Sequence, residues 1–96
     1  MFWIYMLRCS DASLYIGHTD DLERRLGEHH AGRFACYTQS RLPVTLVHSQ
    51  EFATREEALA AERQIKGWSR AKKLALIAGD WNGISRLARG KHKQER

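Results

Sequence analysis

The first eight residues constrain the fold most, because they are apolar on both sides of a strand. Met1–Arg8 has the composition of a β-strand, in which successive side chains point to opposite faces. The alternate positions form two apolar sets, Phe2, Ile4 and Met6 against Trp3, Tyr5 and Leu7. A strand that is apolar on both sides is typical of the centre of a sheet. We therefore predict a sheet with this segment in the middle and both of its faces covered.

The residues that follow predict a hairpin. Residues 10–12, Ser-Asp-Ala, have turn chemistry, and Leu14–Gly17 has the pattern of a second short strand. If residues 10–12 form the whole connection, Tyr15 lies opposite Leu7 and diagonal to Tyr5. Side chains at such positions share one face of an antiparallel pair. The hairpin therefore predicts that the two tyrosines lie on the same side of the sheet.

Capping residues and helical periodicity predict the other elements. These are a helix capped by Thr19 or Asp20 that runs to about His30, a loop or short helix at residues 33–43, a strand at Val44–Phe52, a helix from Thr54 to about Lys66, and a helix from Ser69 to about Ala78 in which Leu74 and Ile77 point inward. The predicted order is β-β-α-(α)-β-α-α. This order indicates an α/β fold of the α+β type.

The size of the chain limits it to one core. A chain of 96 residues is the length of a single domain, which we place at residues 1–87. After Gly79 only Trp81, Ile84 and Leu87 can add to a core, and we expect residues 88–96 to form a disordered basic tail. No apolar run approaches the roughly 20 residues that a membrane span needs, so no membrane partner is expected. Two cysteines indicate reduced thiols in a cytoplasmic protein.

The distribution of positive charge points to an anionic partner. The formal net charge is +5, and much of it lies in the C-terminal tail, where a solvated basic end is an equally good interpretation. The more specific signal is a run without acidic residues inside a helical region, made of Arg63, Lys66, Arg70, Lys72 and Lys73. Helices hold such side chains in fixed positions, so this run is a candidate surface for nucleic-acid phosphates.

Glu62 stands out on the helix that begins at Thr54. At about 100° per residue, Glu62 falls within an apolar arc that contains Ala58 and Ile65. An ionised carboxylate that faces a core is costly unless a cation, a hydrogen-bond donor or a metal satisfies it. Two interpretations remain open at this point, an ion pair with an arginine and a metal ligand.

The first helix carries a second unusual pair. Arg25 and His29 lie four residues apart at the edge of the apolar stripe, whereas Arg24 and Glu28 point towards solvent. Each residue alone has an ordinary structural explanation, and so do the strand residues Tyr5 and Tyr15. Together with Glu62, these side chains combine proton-transfer groups, a cation for phosphate and a carboxylate.

These residues resemble the GIY-YIG nuclease signature in order and approximate spacing. The resemblance rests on Trp3-Ile4-Tyr5, Tyr15-Ile16-Gly17, Thr19, Leu22, Arg25 and His29, and Ala58 with Glu62, and it extends from about residue 2 to residue 78. It is greatest to the short stand-alone bacterial (YhbQ-like) members, with their Leu-Arg-Cys-Ser-Asp stretch and the junction at residues 66–71. His18 stands where the excision-repair members carry lysine, and His29 where they carry a third tyrosine.

The resemblance implies a fold and a set of site residues. The fold would be a three-stranded antiparallel sheet flanked by helices. The catalytic residues would be Tyr5, Tyr15, Arg25, His29 and Glu62, with Glu62 holding one Mg²⁺ or Mn²⁺ ion. Gly17 and His18 would shape the backbone beside the scissile phosphate. The general base would be Tyr15 by this resemblance, although His29 competes for that role because its ordinary pKa is about 6.5.

The expected function is therefore metal-dependent cleavage of DNA, either structure-dependent or weakly selective for sequence. The form of the DNA is open, and RNA is a further candidate. One alternative is a nucleic-acid-binding module of the same fold that does not cut. A second is a protein-interaction adaptor that uses Trp3 and Trp68. The combination of both tyrosines, Arg25 and Glu62 argues against both alternatives, because binding alone does not need a carboxylate in an apolar arc.

Overall fold

The computed structural model describes residues 1–34 and 36–85. The chain divides into two compact units, Met1–Lys66 and Gly67–Arg96, and the second is described as far as residue 85. The predicted tail at residues 88–96 and the predicted packing of Leu87 lie outside the described residues, so the proposed boundary of the domain stays a prediction.

The order of elements is the predicted one. The strands are β1 (Phe2–Arg8), β2 (Leu14–Thr19) and β3 (Thr45–Phe52), and the helices are α1 (Leu22–His30), α2 (Arg55–Lys66) and α3 (Arg70–Ala78). A short 3₁₀ helix, Tyr37–Ser40, lies between α1 and β3, and residues 81–85 are helical. Among the described residues, none of the helices is long and apolar enough to cross a membrane.

The central position of β1 confirms the interpretation of its two apolar faces. The three strands form an antiparallel sheet in the order β2-β1-β3. Ile4, Tyr5, Met6 and Leu7 are each at most 1% exposed, so both sides of the strand are covered. On the side of Tyr5 and Leu7, side chains from α1 complete the core, whereas α2 packs against β1 and β2 through its buried positions.

A β-bulge explains why the pattern of β3 alternates imperfectly. Met6 pairs with His48 and Leu7 pairs with Leu46, so Val47 is an extra residue on the outer strand. A bulge of this kind shifts the register by one residue and moves the following side chains to the other face. The predicted start at Val44 is one residue early, because β3 begins at Thr45.

The helix caps correct one expectation and confirm another. Helix α1 is capped by Asp21, whose side chain accepts from the amide of Arg24, and not by Thr19 or Asp20. The Thr19 hydroxyl instead accepts from the amide of Asp21 and so holds the cap residue in place. Helix α2 has the predicted capping box, in which Thr54 and Glu57 bond to each other's backbone amides at 3.2 Å.

The second unit differs from the sequence prediction in its apolar positions. Helix α3 starts after Ser69 and ends at Gly79, which adopts the left-handed conformation with φ of 70°. Leu74, predicted to point inward, is 38% exposed, whereas Leu76 is buried. Leu74 and Leu76 are about 200° apart on a helix, and Ile77, the other residue predicted to point inward, is half-buried, so the prediction is wrong for Leu74. Trp81 is 65% exposed and adds little to a core.

Gly17 is required by the close approach of Tyr5. A Cβ atom at position 17 would lie 2.6 Å from the Tyr5 hydroxyl oxygen and 2.7 Å from Cζ of the same ring. Since Tyr5 is fully buried, its ring has no free space into which it can move. We expect Gly17→Ala to lower the free energy of unfolding by about 1–3 kcal/mol, measured by urea denaturation.

Gly27→Ala is the matched control for this change. Gly27 lies within α1, and a Cβ atom there would meet nothing within 4 Å. Alanine should therefore stabilise the helix by up to about 1 kcal/mol. Similar losses of stability from both alanines would show that the contact with Tyr5 is not what position 17 requires.

Candidate active site

The hairpin brings Tyr5 and Tyr15 together on one face of the sheet. Tyr15 pairs with Leu7 and Gly17 pairs with Tyr5, which is the register predicted from a three-residue connection. The Ala12 backbone has φ of 70°, as expected at the last position of such a turn. The two phenol rings lie 6.2 Å apart between centroids. The predicted shared face is confirmed.

Helix α1 adds Arg25 and His29 to the same face. The Arg25 side chain is 21% exposed, whereas that of its neighbour Arg24 is 60% exposed, as the helical projection predicts. The Arg25 guanidinium lies 4.2 Å from the centroid of the Phe34 ring and donates to Glu28 at 3.1 Å. Glu28 was predicted to point towards solvent. It instead turns back and pairs with Arg25.

His29 is the centre of a buried hydrogen-bonded chain. Its Nε2 atom lies 2.9 Å from the Tyr5 hydroxyl, and its Nδ1 atom lies 2.8 Å from the Thr38 hydroxyl. The Thr38 oxygen in turn lies 3.3 Å from the Cys36 sulfur. His29 also contacts the edges of the Tyr5, Tyr15 and Phe34 rings at centroid distances of 4.9 to 5.5 Å. Both imidazole nitrogens are therefore already occupied.

Burial keeps both tyrosines protonated. Burial raises the pKa of Tyr5, and the nearby positive charge of Arg25 offsets only part of that rise. Burial also raises the pKa of Tyr15, and the neighbouring side chains of Tyr5 and Cys36 act in the same direction. A phenol of this kind releases its proton, and so becomes a base, only if positive charge comes close to it and lowers its pKa.

The two site residues on α1 have different charge states, since Arg25 is charged and His29 is neutral. Burial lowers the pKa of His29, and the charge of Arg25 lowers it further, so the imidazole is neutral at neutral pH. Burial opposes the charge on Arg25, but interactions with Tyr5 and Glu28 outweigh it and raise the pKa of the guanidinium. The site therefore presents one fixed cation beside neutral proton-carrying groups.

Glu62 is buried, as predicted, but its partners are different from those expected. The residue is 7% exposed on α2. One carboxylate oxygen lies 2.6 Å from Nδ1 of His18, and the other accepts from the Lys66 ammonium at 2.8 Å. Of the two interpretations left open, an ion pair with an arginine is wrong, because the partners in the described residues are a histidine on β2 and a lysine one turn along α2, and the metal ligand stays a prediction.

The sheet separates Glu62 from the tyrosine group. Gly17 faces Tyr5, so His18, the next residue of β2, points to the opposite face. Within the described residues, the hydrogen bonds of Glu62 go to His18 and Lys66, and no group of three or more acidic, histidine or cysteine side chains could hold a metal. The two parts meet at β2, which is an edge strand.

Three residues of the site were not found by sequence reasoning. Phe34, Cys36 and Thr38 belong to the segment at residues 33–43, which was predicted only as a loop or short helix. Thr38 is completely buried in the 3₁₀ helix. The apolar residues of this segment have no helical or strand period. The sequence therefore offered only an aromatic residue and a threonine shortly after Gly32, where the first helix was predicted to end.

The predicted basic run is divided between the two units. Arg63 is exposed on α2, and the ammonium of Lys66 is bound to Glu62. Arg70, Lys72 and Lys73 lie on α3, where the Lys72 ammonium is 4.4 Å from the centroid of the Trp68 ring. The charges on α3 therefore form a group of their own.

The family model of the GIY-YIG catalytic domain matches residues 1–75. The chain belongs to the GIY-YIG family. The match spans the sheet, α1 and α2, so it includes all five predicted catalytic residues. GIY-YIG domains form a nuclease superfamily, and the three-stranded sheet flanked by helices that was expected from the resemblance is present.

The chain has relatives of similar length within the GIY-YIG family. This chain is 51% identical over 74 residues to a UPF0213 protein of Haloquadratum walsbyi. The aligned residues cover 77% of this chain and 83% of that protein. It is 47% identical over 76 residues to a UPF0213 protein of Staphylococcus saprophyticus, covering 79% and 93%. These are short GIY-YIG proteins of archaea and bacteria, and their names state no reaction.

Two solved structures share the fold. The solution structure of a UPF0213 protein of Bacillus halodurans has a TM-score of 0.55 at 37% identity, over 91% of this chain and 97% of that one. A protein of E. faecalis has a TM-score of 0.56 at 39% identity, over 80% and 82%. The α+β fold predicted from the sequence is therefore also that of similar proteins.

Acidification should destabilise the protein through His29. Because the pKa of His29 is lowered in the folded state, the unfolded chain binds the proton first as the pH falls. Stability is then full above about pH 6.5 and decreases as the pH falls towards the folded-state pKa. Burial lowers the pKa of His48 in the same direction. We expect Tm to fall between about pH 7.5 and pH 5.

Two glutamine variants divide this loss. His29→Gln should remove part of the fall in Tm with acid, and His48→Gln should remove another part. An acid slope that is unchanged in His29→Gln would contradict a neutral buried imidazole at this position.

Proposed function

We propose that the protein is a metal-dependent endonuclease that hydrolyses phosphodiester bonds of DNA. The observation that carries the proposal is the placement of Tyr5, Tyr15, Arg25 and His29 on one sheet face, in a chain matched by a GIY-YIG catalytic domain. Hydrolysis requires positive charge against the phosphate, an activated water and help for the departing oxygen. The site has a fixed cation and several groups that carry protons.

Arg25 is the proposed ligand of the scissile phosphate. Its guanidinium is largely withdrawn from solvent, and it is positioned by the Phe34 ring and by the Glu28 carboxylate. A guanidinium offers two parallel N–H donors, which match two non-bridging phosphate oxygens. In a partly desolvated position this contact can strengthen as charge develops in the transition state.

Tyr15 is the proposed general base. It lies on edge strand β2 and is only partly buried, so a substrate can approach it from solvent. Because its pKa is raised, Tyr15 would first have to release its own proton to solvent, which positive charge beside it would favour by lowering the pKa, and the phenolate could then take a proton from the attacking water. His29 is less suited to contact water itself, since it is 1% exposed and its Nε2 atom faces Tyr5. We therefore assign His29 to holding Tyr5.

Glu62 is the proposed ligand of one Mg²⁺ or Mn²⁺ ion. The donor set fits such an ion, because one buried carboxylate oxygen of Glu62 pairs with Lys66, whose side chain is 55% exposed and can leave at little cost. A single carboxylate suits a cation that keeps most of its water ligands. When bound, the ion would supply positive charge against the charge that develops on the phosphate.

Binding of the DNA backbone would also use the basic residues. Arg63 on α2 and the group Arg70, Lys72 and Lys73 on α3 can contact backbone phosphates without reading sequence. This supports cutting that depends on DNA structure or is weakly selective, with RNA as a further candidate. The two cysteines are free thiols, which agrees with a cytoplasmic location.

One observation favours a second candidate, a binding module that does not cut. Both oxygens of Glu62 are satisfied by His18 and Lys66 without a metal ion. If that arrangement is permanent, Glu62 is a structural residue and the basic groups only recruit nucleic acid. Cleavage assays on Glu62 variants separate the two candidates.

The first experiment tests Glu62. Purified protein is incubated with single-stranded, double-stranded and branched DNA and with RNA, in Mg²⁺, Mn²⁺ or EDTA. We expect cleavage of DNA with a divalent ion, loss of cleavage in Glu62→Gln, and nearly unchanged folding and DNA binding. Glu56→Gln is the matched control, because Glu56 is an exposed residue of the same helix. Normal cutting by Glu62→Gln in Mg²⁺ would rule out the proposed metal ligand.

The second experiment compares the two adjacent arginines. Arg25→Ala should slow single-turnover cleavage by roughly a hundredfold, on the order of 3 kcal/mol, because a desolvated phosphate donor is lost. Arg24→Ala should cost under about 1 kcal/mol, since the ion pairs of Arg24 in the described part of the chain are exposed contacts with Asp20 and Asp21. Arg25→Lys should rescue poorly, because an ammonium lacks the forked donors.

Folding of all three variants is checked by circular dichroism. If Arg24→Ala and Arg25→Ala cleave at comparable rates, then Arg25 does not bind the scissile phosphate and the proposed site is on the wrong face of α1.

A further inference from the structure

Thr38 is a buried hydroxyl with a direct contact to the imidazole of the candidate site. It is 0% exposed and lies in the 3₁₀ helix, outside the motif residues on the strands and on α1. Its Oγ1 atom is 2.8 Å from Nδ1 of His29, on the side of the ring opposite Tyr5. A buried hydroxyl in this position must either accept a proton from Nδ1 or donate one to it.

The choice determines which tautomer His29 adopts. A neutral imidazole has one N–H group, and the bond made by one nitrogen fixes the state of the other. If Nδ1–H donates to Thr38, then Nε2 has a lone pair and accepts from the Tyr5 hydroxyl. If Thr38 donates to Nδ1, then Nε2–H points at the Tyr5 oxygen.

The surroundings of Tyr5 favour the first arrangement. The guanidinium of Arg25 carries only donors and already favours the ionised form of Tyr5, so the Tyr5 oxygen has a donor group beside it. If Nε2–H of His29 also pointed at that oxygen, the imidazole could no longer accept the hydroxyl proton of Tyr5. A phenol is also a more acidic donor than an aliphatic hydroxyl, and an imidazole lone pair is the most basic acceptor in the group. The stronger bond is therefore Tyr5 O–H to Nε2.

The far end of the chain is consistent with this direction. Once Thr38 accepts from Nδ1–H, its own proton needs an acceptor, and the Cys36 sulfur lies 3.3 Å away. A thiol sulfur is a weak acceptor, which suits the last member of such a chain. Each hydroxyl proton from Tyr5 to Thr38 then has a partner.

We propose that Thr38 is a positioning residue for cleavage, whose hydroxyl accepts from Nδ1–H of His29, holds the ring in that tautomer and so keeps the Tyr5 proton turned away from the phosphate site. The Tyr5 oxygen then presents its lone pairs towards Arg25 and Tyr15, where the substrate would bind. This assignment rests on the proposed nuclease activity and adds to it a residue that does not itself contact substrate.

The experiment compares Thr38→Val, which removes the hydroxyl at nearly constant volume, with Thr38→Ser, which keeps it. Thr45→Val is the matched control, because Thr45 is an exposed threonine at the start of β3. The tautomer of His29 is read from the nitrogen-15 chemical shifts of its ring by NMR, with His29→Gln used for assignment. Cleavage is measured as separate kcat and KM values.

We expect the Nδ1–H form in the unaltered protein, in Thr38→Ser and in Thr45→Val, and a shift to the Nε2–H form or a mixture in Thr38→Val. The kcat of Thr38→Val should fall by about tenfold or more with little change in KM, as for other residues that orient a functional histidine. Thr38→Ser should recover most of that loss.

Several outcomes would overturn the proposal. An Nε2–H tautomer in the unaltered protein would do so even if Thr38→Val failed to fold. An unchanged tautomer in a folded Thr38→Val, or a changed tautomer with normal kcat, would also do so. If the unaltered protein cuts no nucleic acid, the nuclease proposal fails and the positioning role fails with it, whereas the NMR result still shows whether Thr38 sets the tautomer.

Discussion

The structure depends on a tyrosine hydroxyl that is buried at the centre of the sheet. Tyr5 is 0% exposed, so its oxygen must find partners within the protein. His29 provides one at 2.9 Å, which requires α1 to place an imidazole directly over the sheet. Gly17 is required on the neighbouring strand, since a side chain there would occupy the space of the hydroxyl. One polar atom in the core therefore determines residues on two other elements.

This constraint joins stability to function in the proposed enzyme. The residues that bury Tyr5 are the same ones that orient its proton, so a substitution at any of them changes packing and chemistry together. The charge of Arg25 has a similar double effect, because it favours ionised Tyr5 and disfavours protonated His29. For this reason the conservative changes, such as Thr38→Ser, separate the two contributions better than truncations to alanine.

Patterns with a fixed period could be predicted from the sequence, and choices between nearby partners could not. Alternation and turn length gave the register that brings Tyr15 beside Tyr5, and helical periodicity gave the burial of Glu62 and the exposure of Arg24. The partner His18 of Glu62 was missed because it depends on which strand lies under α2, whereas the partner Lys66 lies one turn along the same helix, within reach of the helical pattern. The cap at Asp21 was missed because three consecutive residues could each serve. Thr38 was missed because a short irregular segment has no period.

The order of the strands explains how residues on two faces of a sheet could serve one phosphate. Gly17 and His18 are consecutive, so one faces the tyrosines and the other faces Glu62. On a central strand, the strands on either side would lie between the groups on the two faces of the sheet. Because β2 is an edge strand, no strand of the described residues pairs with its outer side, and under the proposed function a DNA backbone that crosses this edge would approach both groups. The hairpin pairs β2 with one side of β1, and the pairing of β3 with the other side of β1 is what leaves β2 at the edge.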